Sequence, residues 1–158
     1  MKVELDERLV SKYLSIFPRY GGDPRDTCLA FGIECGDGWF DLLDKLCGVI
    51  KHEVEYMNRL WPHLKFRCEA EQVKEKYGIL RFYIHFYYEP NLPSEDMERV
   101  NASMARIGGA ITMAEAMSSK ICETCGEKST LSNDIFPKNE CDACATLRHD
   151  ALSNRDLT

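Results

Sequence analysis

The tightest restriction on the fold of this chain comes from two pairs of cysteines near its C-terminal end. Cys122 and Cys125 form one Cys-x-x-Cys pair, and Cys141 and Cys144 form a second pair after a spacer of fifteen residues. A two-residue spacer lets the chain turn back so that both sulfurs face one point, and two such pairs at this separation are a strong zinc signature. The pattern therefore predicts a metal-binding module over residues 119–158.

We expect one structural Zn²⁺ in this module, because four thiolates complete a tetrahedral zinc and leave no position for water or substrate. Residues 145–153 have a helical pattern. The order is then a tight turn that carries Cys122 and Cys125 (the knuckle), a hairpin and a helix, which predicts a treble-clef or ribbon-like module. Metal binding should supply much of the folding energy of this tail, which has few large apolar residues: Ile121, Leu131, Ile135, Phe136, Leu147 and Leu152. The alternatives are four buried free cysteines or a catalytic Cys-x-x-Cys redox pair, although the βαβ context of such a redox pair is missing.

The remaining residues, 1–118, are predicted to form one α+β core domain, with helices packed on a small antiparallel sheet. Alternating apolar residues predict strands over 64–71 and 80–88, joined as a central hairpin. Apolar residues at helical spacing predict three helices, which cover residues 4–17, residues 37–60 with Asp37 as N-cap, and a segment that Ser94 caps and Ser118 closes.

Two details of this core break the simple pattern. Val73 is out of phase with the first strand, which indicates a β-bulge. Gly108 and Gly109 interrupt the third helix, where each glycine costs about 1 kcal/mol relative to alanine. We expect close packing of another element against the bare backbone as the compensation.

Composition limits the class of function. The 158 residues carry a formal net charge of −6, whereas a nonspecific nucleic-acid binder usually presents a basic surface that displaces counterions from phosphates. No apolar run approaches the ~20 residues that span a bilayer, and the charged N-terminus lacks the apolar stretch of a secretory signal. We therefore expect a cytoplasmic protein with no membrane contact, whose cysteines stay reduced or bind metal.

Four other cysteines have no paired spacing and are interpreted as buried structural thiols: Cys28, Cys35, Cys47 and Cys68.

A glycine-rich acidic loop is the first candidate binding surface outside the cysteine module. Glu34, Asp37 and Trp39 lie in it beside two glycines, and such an ordered loop is typical of ligand or partner sites. Paired carboxylates could also bind a cation or act as general acid and base. The simpler interpretation is the acidic first turn of a helix.

The second candidate surface is one face of the second strand, which carries Arg81, Tyr83, His85 and Tyr87. Aromatic side chains on an open sheet face can stack nucleic-acid bases. A face covered by a helix, or a protein interface enriched in tyrosine and arginine, explains the same pattern.

Three blocks of sequence resemble a family of small uncharacterised proteins from bacteriophages and bacterial genomes. They are residues 31–39, residues 72–83, and residues 114–118 leading into Cys122-Glu-Thr-Cys-Gly126. The resemblance covers most of residues 28–145. It implies a phage accessory protein that acts inside an infected bacterium, where it would bind and inhibit a host factor or sequester a defence signal.

The leading hypothesis is a non-catalytic, zinc-containing binding protein whose partner is a host protein or a small signalling ligand. One alternative is a nucleic-acid-associated regulator that uses the zinc module and the aromatic strand. A second alternative is a small hydrolase that uses acids near Glu34 and Asp37.

Overall fold

The computed structural model describes residues 1–132 and 137–153, and it has the predicted α+β class. A two-stranded antiparallel hairpin is joined to three helices in the N-terminal part, and a second, very short hairpin precedes a fourth helix. The elements are α1 (Val3–Lys12), α2 (Phe40–Leu60), β1 (Arg67–Lys76), β2 (Ile79–Tyr87), α3 (Ser94–Ser118), β3 (Thr130–Leu131), β4 (Asn139–Glu140) and α4 (Asp142–Ser153). Ile135 and Phe136, which were expected among the apolar residues of the tail, lie outside the described residues.

The core forms where α2 and α3 pack on each other and α3 packs on β2. The buried stripe of α2 has the helical spacing predicted for an amphipathic helix: Leu43, Leu46, Cys47, Ile50 and Met57. The corresponding residues of α3 are Val100, Ile107, Ile111 and Ala114. The helices therefore meet along their apolar faces, with the buried face of the hairpin closing the core.

The starts of two helices differ from the prediction. α2 begins at Phe40 after a 3₁₀ turn over Asp37–Trp39, and the Asp37 carboxylate accepts a hydrogen bond from the Lys2 backbone N–H at 2.7 Å instead of capping the helix. α3 begins at Ser94 itself, with Pro93 at the cap position and no side-chain cap. Asp37 thus makes a tertiary contact instead of capping α2, and Pro93 takes the cap position of α3 that was predicted for Ser94.

α1 is shorter than predicted because the chain leaves the helix at Tyr13 and turns into the core. Ile16 and Phe17 are buried there, and the Ile16 carbonyl accepts a hydrogen bond of 2.7 Å from the Ala70 backbone N–H. The segment after α1 thus contacts the hairpin instead of extending the helix.

The hairpin confirms the predicted bulge and corrects the strand bounds. The register shifts between Ala70 and Gln72, so Val73 returns to the buried face. β1 continues through the charged stretch to Lys76, and a two-residue turn with positive φ at Tyr77 and Gly78 leads into β2. Positive φ at both central residues is the geometry of the tight hairpin turn that matches strand twist.

Both outer edges of this two-stranded ribbon are occupied. Along β2, the Leu80 N–H donates to Ser118 Oγ at 2.9 Å, and the Phe82 N–H donates to Glu115 Oε1 at 3.1 Å. Along β1, the Glu34 N–H donates to the Val73 carbonyl at 2.9 Å. A two-stranded ribbon is marginal alone, and these contacts satisfy edge groups that would otherwise pair with another chain.

The glycine pair of α3 contradicts the expected close packing. A Cβ placed on Gly108 or Gly109 would have no atom within 4 Å outside the local helix, so no described element covers this backbone. The cost of these two glycines is therefore not offset by an intramolecular contact among the described residues.

Replacing Gly109 with alanine should stabilise the protein, because the new methyl group meets open space and alanine favours the helix. We expect the free energy of unfolding to rise by about 0.5–1 kcal/mol. Urea denaturation of the full chain measures this change, and a destabilised Gly109→Ala variant would show that the backbone there is covered.

Candidate metal centre

The four paired cysteines converge on one point. The sulfurs of Cys122, Cys125, Cys141 and Cys144 all lie within 4.8 Å of one another. The Cys125 and Cys141 sulfurs are 3.6 Å apart, close to the ~3.8 Å between ligands of a tetrahedral ion with metal–sulfur bonds of about 2.3 Å. This separation is far longer than a disulfide bond of about 2.05 Å. The four sulfurs could therefore hold one metal ion.

The first pair lies on a tight knuckle closed by backbone hydrogen bonds. The Gly126 N–H donates to the Cys122 carbonyl at 2.9 Å, and the Cys122 N–H donates to the Glu127 carbonyl at 2.7 Å. Gly126 has a φ of +83°, a conformation that is strained for residues with a Cβ. The spacer and this glycine together fix the directions of both thiols.

The second pair lies at the start of α4, which begins at Asp142, three residues before the predicted start at residue 145. Cys141 directly precedes the helix, and its carbonyl accepts the Ala145 N–H at 2.9 Å. Cys144 lies in the first turn, where the positive end of the helix dipole favours thiolate. The short β3–β4 hairpin joins the two pairs, so the order of knuckle, hairpin and helix follows the prediction.

The sulfurs differ in their affinity for a proton. Burial opposes ionisation of Cys122, but hydrogen bonds from the backbone of Cys141, Cys125 and Thr124 outweigh it and lower the pKa of Cys122 to about 7. Hydrogen bonds with Cys125 and Cys141 raise the pKa of Cys144. A cation at the centre of the four sulfurs would favour the thiolate form of each.

The knuckle lies directly on the glycine-rich loop between residues 34 and 39. The Gly38 N–H donates to the Glu123 carbonyl, and the Gly36 N–H donates to Glu123 Oε1, both at 2.8 Å. A Cβ on Gly38 would lie 2.1 Å from the Cys122 carbonyl oxygen and 2.3 Å from the Gly126 nitrogen. Only glycine allows two backbone segments to approach this closely.

Trp39 anchors the same contact from inside the core. Its side chain is 0% exposed, and its indole N–H donates to the Ile121 carbonyl at 2.8 Å. Glu123 is half-buried beside the loop, and desolvation raises the pKa of its carboxyl although the Gly36 N–H partly offsets this. The loop predicted as a ligand surface therefore packs against the cysteine knuckle, and Trp39 is buried in the core.

Asn139 is a structural residue of the site that the sequence analysis missed. It is fully buried, its side-chain amide donates to the Ser118 and Ile121 carbonyls, and its side-chain oxygen accepts from Ser129. Its backbone carbonyl accepts the Glu123 N–H at 2.8 Å. A single asparagine inside a polar spacer carries no periodic signal, so its role is visible only once the chain is folded.

The two carboxylates proposed as paired acids have different partners. Asp37 forms an ion pair with Lys2 at 3.0 Å, and hydrogen bonds from Lys2 lower the pKa of Asp37 against the opposing effect of desolvation. Glu34 is exposed, and its carboxylate accepts a hydrogen bond from Gln72 at 3.2 Å. Each acid is thus held by a separate contact.

The aromatic face of β2 is open to solvent but rich in charge pairs. Arg81 pairs with Glu115 at 3.1 Å, and His85 lies 3.7 Å from Glu71. Tyr83 is 43% exposed. The Tyr87 ring stacks under the Arg67 guanidinium at 3.8 Å. Arg81 and His85 therefore each lie beside a carboxylate.

The four unpaired cysteines separate into two groups. Cys35, Cys47 and Cys68 are buried as expected, and burial raises the pKa of each thiol, so they stay protonated and unreactive. Cys28 is exposed, contrary to the expectation that it would be a buried thiol. It lies in a 3₁₀ turn at the surface, where its side chain has no part in the core.

Searches against protein-family models, curated proteins and solved structures give no match. Among residues 1–132 and 137–153, none of the helices combines the length and apolar character that a bilayer crossing requires. The interpretation of the site therefore depends on its own geometry.

Replacing Gly38 with alanine should disrupt the contact between the glycine-rich loop and the knuckle, because the added methyl group would overlap backbone atoms that cannot move independently. We expect the free energy of unfolding to fall by about 2–3 kcal/mol, measured by urea denaturation of the metal-loaded protein. Gly109→Ala is the matched control, since it makes the same chemical change where there is open space. Equal stability of the two variants would contradict the close approach at Gly38.

Replacing Asn139 with alanine should destabilise the protein by about 2–4 kcal/mol, because the buried Ser129 hydroxyl loses its acceptor and the Ser118 and Ile121 carbonyls each lose a donor. Thermal or urea unfolding measures the change. Asn101→Ala on the exposed surface of α3 is the control and should change stability by no more than about 0.5 kcal/mol.

Proposed function

We propose that this chain is a non-catalytic, zinc-containing binding protein, in which one Zn²⁺ bound by Cys122, Cys125, Cys141 and Cys144 holds the C-terminal segment on the α+β core. The observation that carries the proposal is the convergence of these four sulfurs within 4.8 Å. Their knuckle contacts the core through Gly36, Gly38 and Trp39, so metal binding and the contact with the core support each other.

Zinc is the ion that this donor set favours. Soft thiolates select zinc, copper(I) or iron–sulfur chemistry, and a tetrahedral set of four sulfurs suits zinc or iron. Zinc has no redox chemistry and no geometric demand beyond the tetrahedron, which fits a site that fastens a tail to a core. Because four thiolates fill the coordination shell, the ion would stabilise the fold and would bind no substrate.

The separate contacts of Glu34 and Asp37 also favour binding over hydrolysis, because a pair of catalytic acids must face the same reacting atoms. Asp37 is held by Lys2, and Glu34 by Gln72. This arrangement favours the interpretation of these acids as parts of the fold over the hydrolase alternative.

The partner in this proposal is a host protein or a small signalling ligand, met in the cytoplasm of a bacterium. This setting comes from the resemblance of residues 28–145 to bacteriophage and bacterial proteins. The nucleic-acid alternative receives less support, because Arg19 and Arg67, which both contact Tyr87 of the aromatic face, already pair with Glu69. This pairing leaves fewer charges to displace counterions from phosphates.

Elemental analysis of the full-length protein, purified in the presence of a thiol reductant, tests the metal. We expect one zinc per chain, and removal with a strong chelator should unfold the C-terminal segment, because metal affinity is folding energy there. Circular dichroism and limited proteolysis of residues 119–158 report this loss.

A matched pair of cysteine variants localises the ion. Cys125→Ser should lose zinc, whereas Cys28→Ser, a change at another exposed cysteine, should keep one zinc per chain. A metal-free sample with an ordered C-terminal segment would overturn the proposal.

A further inference from the structure

An open apolar groove of about 750 Å³ lies where α2, α3 and the cysteine knuckle meet. Its walls include Phe40, Leu42 and Val49 from α2, and Met113 and Met117 from α3. Val49, Met113 and Met117 are 51%, 65% and 49% exposed. Large apolar side chains gathered in one exposed trough mark an interaction surface more often than a random surface feature.

The shape and chemistry of the groove favour a helix as its occupant. From Phe40 to Val49 the α2 wall extends about 14 Å, which matches two to three turns of a helix. A small-molecule site needs several polar groups that converge on the ligand, whereas most of the residues that line this groove are apolar. An amphipathic helix satisfies its own backbone and needs only an apolar trough. Methionine side chains such as those of Met113 and Met117 adapt readily to such a guest.

Most of the charged side chains in the lining of the groove are acidic, which favours a partner with basic residues. Asp37, Asp41 and Glu127 line the groove, together with Lys45 as the single lysine of the lining. Asp37 is paired with Lys2, whereas Asp41 and Glu127 form no ion pair with any described residue. Cys125 also lines the groove, and a Zn²⁺ with four thiolates would add two negative charges behind it.

We propose that this groove binds an amphipathic helix of a partner protein, with the helix's apolar face in the trough and its basic residues beside Asp41, Glu127 and the metal centre. The proposal deepens the proposed function, on which it rests, by assigning the partner site to the groove and the partner to a basic helical segment. Electrostatic complementarity of this kind fixes orientation and raises the association rate.

The test uses zinc-loaded full-length protein and three synthetic peptides of about 18 residues. The first has leucines on one helical face and lysines on the other. The second keeps the leucines and replaces the lysines with glutamates. The third has the composition of the first in an order that abolishes the apolar face. We expect saturable binding of the first peptide in fluorescence anisotropy, and at least tenfold weaker binding of the other two.

Variants then locate the site. Met113→Lys should weaken binding of the first peptide at least tenfold, because it places a charge in the trough. Asn101→Lys, the same gain of charge on the exposed surface of α3 outside the groove, should change it less than twofold. Asp41→Asn combined with Glu127→Gln should weaken binding at least threefold and reduce its salt dependence.

Three results would overturn the inference. They are failure of the first peptide to bind, equal binding by wild type and Met113→Lys, and sedimentation showing a dimer of this chain that Met113→Lys dissociates, because the groove would then hold a second copy. If the peptides fail while the protein still contains one zinc per chain, only the groove assignment falls. If the zinc is absent, the proposed function itself fails.

Discussion

The architecture depends on the close approach of two backbone segments, the loop over residues 36–39 and the knuckle over residues 122–126. Gly38 lies against the knuckle with no room for a Cβ, and Glu123 of the knuckle accepts hydrogen bonds from the Gly36 and Gly38 N–H groups, both at 2.8 Å. Backbone N–H groups in so close a contact need acceptors within it, because a buried N–H group without a partner costs free energy. The same contact therefore orients the cysteines and fixes the start of α2.

Contacts along both edges of the hairpin explain why a sheet of only two strands suffices. A two-stranded ribbon has little stability of its own, but here α3 and the segment before α2 occupy its two edges. Glu34 hydrogen-bonds to β1 through its backbone, and a few residues later the chain reaches the knuckle. The hairpin, the start of α2 and the cysteine module thus share one short connecting loop.

The local signals in the sequence were sufficient wherever one short segment determines its own geometry. The alternation of β1 and β2, the out-of-phase Val73 and the paired cysteines each predicted a feature that the fold contains. Prediction was weaker wherever a distant residue decides the outcome. Asp37 was expected to cap a helix but contacts Lys2, Trp39 was expected on a binding surface but is buried, and Asn139 gave no signal.

Chemical identity and spacing alone therefore predicted the α+β class, the cluster of four cysteine sulfurs and the order of knuckle, hairpin and helix, because thiol chemistry and hydrophobic periodicity act over a few residues. Only the tertiary structure showed that the glycine-rich loop packs against the knuckle, that Gly108 and Gly109 face open space, and that a groove opens beside Cys125. These features arise where segments separated by tens of residues meet, and the spacing of residues along the chain carries no measure of that distance.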